Sequence, residues 1–226
     1  MNIIKTMKPI LKFNSIVISL TTLIMFFIWD LILLIPADFM HYRGIAVVIS
    51  FVTSLGCYQL FVQLFDLLFE HWRFFRNFIL GPYNLEGIWV GFSAGMKGDI
   101  RYYYEKITQE LDETYITGQS FTEKGGFHGS WFVRNPMIDI NAGEMTYCFE
   151  ADAIQNSFSN PGFGKFSFIR QNSKKAPTAL RGYTCYIYNT NKLLGYEIKL
   201  PKKNYSDIQL YEEAQKAYDT YKFVLE

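Results

Sequence analysis

Two long apolar runs fill much of the first third of the chain and constrain its fold more than any other feature. Residues 16–35 are apolar except for Ser19, Thr21, Thr22 and Asp30, and residues 44–69 form a second run broken by only six polar side chains. Because a helix rises about 1.5 Å per residue, each run can cross a hydrocarbon core of about 30 Å. The short segment 36–43 joins them, so the sequence predicts a transmembrane helical hairpin within residues 1–80.

The flanks of these runs predict their orientation. A cleaved signal peptide is the alternative for the first run, but the run is too long, lacks a small-residue cleavage site and is followed by a second span. Only Arg43 lies in the connecting segment, whereas five cations lie outside the spans, and the positive-inside bias therefore predicts that both termini are cytoplasmic. These five are Lys5, Lys8, Lys12, Arg73 and Arg76.

Polar residues recur at helical spacing inside both runs. The second run carries Gln59, Gln63, Asp66 and Glu70, and the first carries Ser15, Ser19 and Thr22, with Asp30 near the extension of that face. Such groups avoid lipid and favour another helix or water. They either join the two helices of one hairpin or let several hairpins associate, and Gln59, Gln63, Asp66 and Asp30 are the candidate assembly residues.

Beyond Gly81 and Pro82 the apolar pattern alternates, as it does in half-buried strands. Eight strands rich in Tyr, Phe, Ile, Val and Thr are predicted, and turn-forming residues separate them. Their ranges are 85–93, 100–110, 114–122, 129–135, 144–154, 162–171, 180–189 and 193–200, and the predicted turns include 160–162 and 189–191. Short connections favour an eight-stranded up-and-down antiparallel β-barrel over residues 83–226, with a sandwich as the alternative.

A C-terminal helix is predicted over residues 207–223. Ser206 and Gln209 have capping-box spacing, and Leu210, Ala214, Ala217 and Tyr221 line one face. We expect this face to pack on the barrel.

Charge and motifs exclude several functions. From Tyr83 onward 16 Lys and Arg balance 17 Asp and Glu, which argues against polymeric nucleic acid as a partner. No catalytic motif or cofactor fingerprint occurs, so we expect neither an enzyme nor a bound cofactor. The spacing of His41, His71 and His128 does not unite them as metal ligands. The strand carboxylates Glu105, Glu110, Glu150 and Asp152 are interpreted as solvated outer-face groups.

Arginines indicate a binding site. Arg134, Arg170 and Arg181 all fall at one end of the predicted barrel. Strand parity places Arg170 with the inward Phe166 and Phe168, and Arg181 with Tyr183, Cys185 and Ile187. Two inward arginines beside aromatic rings can bind phosphates and stack on bases. The candidate ligand residues are Arg170, Arg181, Tyr183, Arg134 and Tyr147; the alternative is that the arginines fix the barrel end or, with Lys174 and Lys175, contact anionic lipid.

The chain resembles a known family at the junction before the first strand. Two N-terminal spans, the motif Leu85-Glu-Gly87-Ile-Trp89-Val-Gly91 and the β-rich domain resemble the two-transmembrane β-barrel effectors of CBASS antiphage defence. Gly-x-Trp also opens lipocalin-type barrels, and Trp89 is predicted to plug the barrel base.

This resemblance implies a function. In that family an infection-activated nucleotidyltransferase (CD-NTase) makes a cyclic oligonucleotide, the barrel binds it, and the effector disrupts the bacterial inner membrane. The polar faces of the two spans add the expectation that the chain forms a homo-oligomer through its transmembrane helices. A membrane-tethered, lipocalin-like carrier of a hydrophobic ligand and a docking subunit of a membrane complex are the alternative functions.

Overall fold

The computed structural model describes residues 7–34, 40–94, 100–153, 160–201 and 204–224. These form two compact units, an α-helical unit of Met7–Leu80 and a β-rich unit that begins at Gly81.

The helical unit consists of three helices. They are α1 (Pro9–Leu33), α2 (Met40–His71) and α3 (Arg73–Leu80). The stretches Pro9–Leu31 and Phe51–His71 are long and apolar enough to cross a membrane. Aromatic packing joins the helices, since the rings of Phe13 and Phe65 meet edge-on at 6.3 Å and that of Phe65 stacks on Phe75 at 5.3 Å.

The connection between α1 and α2 is shorter than the sequence predicts. Helix α2 already begins at Met40, so the backbones of His41 and Arg43 are helical rather than part of a turn. Residues 35–39 of the predicted connection, and Lys5 of the predicted flank, lie outside the described residues.

The β-rich unit is the predicted closed antiparallel barrel. The strands are β1 (Gly87–Ala94), β2 (Ile100–Gln109), β3 (Thr114–Phe121), β4 (Phe127–Arg134), β5 (Met137–Asp139), β6 (Glu144–Ala153), β7 (Asn160–Ile169), β8 (Ala179–Tyr186) and β9 (Asn189–Lys199). Apart from β4 and β5, consecutive strands pair with each other; β1 pairs with β9, and β4 pairs with β6 to complete the closure.

Strand β5, which the sequence did not predict, is the continuation of β4 after a break. Asn135, with φ of 53°, and Pro136 interrupt the strand, and β5 then pairs with β6 alone. Together β4 and β5 therefore occupy one of the eight strand positions around the barrel. A strand of three residues carries too short an alternation to be recognised in a sequence.

Two predicted turns are wrong. Pro161 pairs with Glu150 near the start of β7, a position where a strand tolerates the missing donor of proline. The turn between β8 and β9 consists of Ile187 and Tyr188, and Asn189 already pairs with Tyr186. In both places residues typical of turns lie at the first positions of a strand.

Helix α4 (Asp207–Tyr221) packs on the outside of the barrel, as predicted. The predicted capping box is present, since Ser206 and Gln209 exchange hydrogen bonds. Leu210, Ala214 and Ala217 are buried against outward side chains of β1, β2 and β9, which include Val90, Phe92, Tyr102 and Tyr196. Strand β1 is therefore buried on both faces.

Inside the barrel, side chains fill the end where β1 begins, here called the packed end. Trp89 is fully buried there with Leu85, Ile107, Ile116 and Met145. Its Nε1 donates to the Leu85 carbonyl at 2.8 Å, as expected of a plug. The opposite end, where β1 finishes, is called the cavity end.

Candidate ligand-binding cavity

A cavity of about 310 Å³ lies inside the barrel toward the cavity end. Six aromatic side chains line it: Tyr103, Trp131, Tyr147, Phe149, Phe166 and Tyr186. Four ionisable side chains accompany them: Arg101, Glu105, His128 and Glu197. Aromatic walls with a few convergent polar groups are typical of small-molecule sites, and the volume falls at the lower end of their range.

Inward-facing glycines make room for these aromatic rings. A Cβ at Gly118 would lie 2.1 Å from the Trp131 ring, and one at Gly164 would lie 2.8 Å from the Tyr147 ring. At Gly91 a Cβ would lie 2.7 Å from Glu197 Cγ and 2.9 Å from Tyr103 Cζ. Each glycine thus lets a large side chain from a neighbouring strand lie flat across the barrel wall.

Glu105 lies at the centre of the polar network. It is 1% exposed on β2, and its Oε1 accepts hydrogen bonds from Trp131 Nε1 at 2.9 Å and from the Tyr147 hydroxyl at 3.1 Å. Trp131 reaches it across Gly118, because Glu105, Gly118 and Trp131 form one row across β2, β3 and β4. Burial raises the pKa of Glu105 to about 7, although both hydrogen bonds oppose the rise.

Glu197 is the second buried carboxyl group. It is 0% exposed on β9, and its Oε1 accepts from the Tyr103 hydroxyl at 3.2 Å. Burial, and then the charge of Glu105, raise the pKa of Glu197 well above its usual value, while the Tyr103 hydrogen bond opposes this. Burial also raises the pKa of Tyr103 and Tyr147, so both phenols remain protonated donors.

One oxygen of each carboxyl has no hydrogen-bond partner. Glu105 Oε2 and Glu197 Oε2 are both buried, and these are the two such side-chain atoms among the residues that the structure describes. A buried acceptor without a donor costs about 1–3 kcal/mol. Both oxygens are sealed within the barrel interior, and almost none of their surface is accessible from the cavity.

Cationic and titratable groups lie closer to the cavity end. Arg101 at the start of β2 lines the cavity, and its charge opposes the rise that burial causes in the pKa of Tyr186. His128 lies at a β-bulge, since Ser120 pairs with Gly129 but Phe121 pairs with Phe127. A bulge redirects side chains, and His128 lines the cavity together with Trp131.

Of the predicted ligand residues, Tyr147 lines the cavity, whereas Arg170 and Arg134 belong to the packed end. Arg170 Nη2 donates to the Ile140 carbonyl at 2.8 Å and so joins β7 to the turn before β6. Arg134 is exposed, forms an ion pair with Glu113, and lies 5.8 Å from the Tyr115 ring centroid. Both arginines hold the barrel end, which is the alternative that the sequence left open.

The predicted inward face of β8 is wrong. Leu180, Gly182, Thr184 and Tyr186 face the interior, and the set that includes Arg181 faces outward. Arg181 is exposed opposite Tyr196, and the Tyr183 ring lies 4.4 Å from Lys192 Nζ. The interior set contains a glycine and a threonine, so its apolar pattern is no stronger than that of the outer set.

The sequence analysis missed Arg101, Glu105, Glu197 and His128 as cavity residues. Glu105 was interpreted as an outer-face carboxylate, but it shares the inward parity of Tyr103 and Ile107, both buried. The alternation along β2 was therefore a signal in the sequence that Glu105 faces the barrel interior. The bulge that turns His128 inward has no comparable signal in the sequence.

Most of the candidate assembly residues lie on exposed faces of the helical unit. Gln59, Gln63 and Asp30 are exposed, and Asp66 is half-buried. The contacts between α1 and the rest of the unit involve buried apolar side chains such as Phe13, Val17 and Phe69. The side chains of Gln59, Gln63 and Asp30 therefore do not pack between the helices of this unit.

Comparisons with known proteins identify no family. No family model matches the chain, and no curated protein matches it. Among solved structures, a redesigned β-barrel, mFAP1, bound to DFHBI is similar to 53% of this chain over 98% of its own length, with 11% identity and a TM-score of 0.41. The siderocalin Ex-FABP, which functions through dual ligand specificities, is similar to 61% of this chain over 86% of its own, with 12% identity and a TM-score of 0.30. Likenesses this distant do not identify what the barrel binds.

Within the described residues, no group of three or more His, Cys, Asp or Glu side chains could hold a metal ion.

Proposed function

We propose that this protein is a membrane-anchored receptor for a cyclic oligonucleotide, which oligomerises on binding and disrupts the bacterial inner membrane of phage-infected cells. The observation that carries the proposal is the mixed chemistry of the cavity. Aromatic rings suit bases, and the Arg101 guanidinium suits a phosphate. A ligand that carries both groups is a nucleotide.

The hydrophobic-ligand carrier is the second candidate function, and the apolar side chains of the packed end favour it. It gives no role to Arg101 and His128, which line the cavity.

The membrane step rests on the helical unit. Lys12 donates to the Phe78 carbonyl and lies 3.8 Å from that ring centroid, so the start of α1 and helix α3 lie on the same side of the unit. With Lys8, Arg73 and Arg76 this side carries the cations that favour the cytoplasm. Exposed Gln59 and Gln63 then provide hydrogen-bonding groups through which several copies associate within lipid.

The test uses the full chain in detergent and in liposomes. We expect isothermal titration to show saturable binding of one member of a panel of cyclic di- and trinucleotides, and that ligand to release dye from the liposomes. Gln63→Leu should abolish dye release and leave binding unchanged, whereas Gln63→Asn, which keeps the amide, should retain both. Binding of a fatty acid but of no cyclic nucleotide would support the carrier function instead.

A further inference from the structure

The short helix α3 exposes large aromatic side chains directly after a candidate membrane span. The span Phe51–His71 ends where α2 ends, and α3 begins two residues later at Arg73. Trp72, between the two helices, is 54% exposed, and Phe74 and Phe78 are 70% and 50% exposed. The rings of Trp72 and Phe74 lie side by side with centroids 5.9 Å apart, and Phe78 lies one turn further along the same face as Phe74. These three side chains are called the aromatic surface of α3.

The apolar face of α3 is wider than the part of it that packs on the other helices. Successive residues of a helix are about 100° apart, so four apolar side chains span an arc of about 140° around α3. They are Phe74, Phe75, Phe78 and Ile79. The Phe75 ring stacks on Phe65 of α2 at 5.3 Å, and Ile79 is buried. The other half of the arc remains exposed, and such a face is stable against a further apolar partner.

Two cations fix α3 against the ends of both longer helices. Lys12 of α1 donates to the Phe78 carbonyl, and its Nζ lies 3.8 Å from the centroid of the Phe78 ring. Arg76 Nε donates to the Phe69 carbonyl of α2 at 3.0 Å, and its guanidinium lies 4.9 Å from the centroid of that ring. Because rotation of α3 would break these contacts, the aromatic surface stays on the outside of the helical unit.

Exposed cations accompany the aromatic surface. Arg73 and Asn77 lie on the side of α3 opposite its apolar arc, and both are exposed. Lys8 is also exposed, one turn before the Lys12 that contacts α3. A helix with Trp and Phe on one face and cations on the other lies in the plane of the membrane–water interface, where indole rings favour the level of the headgroups.

We propose that α3 and Trp72 form an interfacial helix, whose aromatic surface inserts at the headgroup level of an anionic phospholipid bilayer while Lys8 and Arg73 bind the lipid phosphates. The proposal rests on the membrane anchoring in the proposed function. At about 1.5 Å per residue, α3 as far as Phe78 stays within about 11 Å of the end of the span at His71. The bilayer interface is therefore the apolar surface within its reach, and the charges of the headgroups complement those of the two cations.

Tryptophan quenching by brominated lipids tests the position of Trp72. The chain has four tryptophans, of which Trp89 and Trp131 belong to the barrel and Trp29 lies in the first span. In full-length Trp29→Phe, Trp72 is the tryptophan outside the barrel, and Trp29→Phe/Trp72→Phe gives the barrel background. In liposomes of phosphatidylcholine and phosphatidylglycerol, bromines near the glycerol end of the acyl chains should quench Trp72 roughly twofold more strongly than bromines near the chain terminus. The difference between wild type and Trp72→Phe gives the same signal if Trp29→Phe fails to fold.

The preference for anionic lipid is tested by moving the bromines from phosphatidylcholine to phosphatidylglycerol at a fixed mole fraction. Each cation near the surface favours anionic lipid by about fivefold, so brominated phosphatidylglycerol should quench Trp72 more strongly. In Lys8→Gln/Arg73→Gln the relative affinity for phosphatidylglycerol should fall by about fivefold for each charge removed. Lys106→Gln/Lys124→Gln, which removes two exposed charges of the barrel, is the matched control and should keep the preference.

Trp29, measured in Trp72→Phe, separates the two proposals. Quenching of Trp29 without quenching of Trp72 shows a chain within the membrane and overturns the interfacial helix alone. Equal quenching of Trp72 by the two brominated lipids, or a preference that survives Lys8→Gln/Arg73→Gln, overturns the contacts with lipid phosphates. If no lipid quenches either tryptophan, the membrane anchoring is overturned, and the interfacial helix with it.

Discussion

The buried acidic pair should make the barrel less stable as pH rises, which is the opposite of the usual effect of carboxyl groups. The pKa of Glu105 is raised from 4.5 to about 7 in the folded protein, and burial is the main cause. The folded state therefore binds more protons than the unfolded state between these values. This contribution to stability is fully present below pH 4.5 and is lost as pH rises through 7.

The size of the effect follows from the same pKa. Each pH unit between 4.5 and 7 costs about 1.4 kcal/mol, so Glu105 alone removes about 3 kcal/mol by pH 8. Glu197, whose pKa is raised further for the same reason, acts in the same direction. For a domain of this size the loss corresponds to a fall of roughly 6–12 °C in Tm.

The perturbation is the double variant Glu105→Gln/Glu197→Gln, which removes both titrating groups and keeps their volume. Guanidinium unfolding of the full chain in detergent, followed by near-ultraviolet circular dichroism of the interior aromatic residues, gives the free energy of unfolding at pH 5, 6, 7 and 8. We expect wild type and the control Glu150→Gln, at an exposed position on β6, to lose more than about 3 kcal/mol relative to the double variant over this range, because both carboxyl groups contribute. A wild-type profile parallel to that of the double variant would refute the reasoning.

Three further predictions concern packing, capping and charge. Gly118→Ala places a Cβ about 2.1 Å from the Trp131 ring and should lower the free energy of unfolding by about 1–3 kcal/mol, measured by guanidinium unfolding; Gly56→Ala, with nothing within 4 Å, should cause no such loss. Ser206→Ala removes one half of the capping box and should destabilise α4 by about 1 kcal/mol, seen as faster amide hydrogen exchange in α4, and unchanged exchange would contradict the role of the cap. Arg101→Ala should weaken binding of the cyclic nucleotide by roughly 10- to 150-fold in isothermal titration, whereas Arg181→Ala on the outer face should leave it unchanged.

The sequence was sufficient to predict the barrel because its strands are long and its connections short. Strands β2, β3 and β6 lie within one residue of their predicted bounds, since alternation over eight to ten residues fixes both period and ends. The packing of α4 was also predictable, because Leu210, Ala214 and Ala217 share one helical face and all are buried.

The residues that line the cavity were less predictable, because a shift of one residue in the register of a strand exchanges its inward and outward side chains. On β8 an inward set containing Gly182 and Thr184 competes with an outward set containing Tyr183 and Cys185, and side-chain type alone favours the wrong one. The interior glycines look like weak strand positions until the rings that cover them are known. Buried Glu105 and Glu197 contradict the rule that carboxylates face water, and such exceptions are found mainly at functional sites.

The pairing of β1 with β9 determines when the cavity can exist during synthesis. Trp89 at the start of the barrel pairs with Lys199 near its end, and Glu197 comes from this last strand. A ribosome must therefore release the chain through Lys199 before the wall can close and the second carboxyl can join the first. Until then β1 has an open edge, and contacts so distant in sequence form slowly. An unfinished copy that ends before β9 consequently lacks both the closed wall and the cavity that the wall encloses.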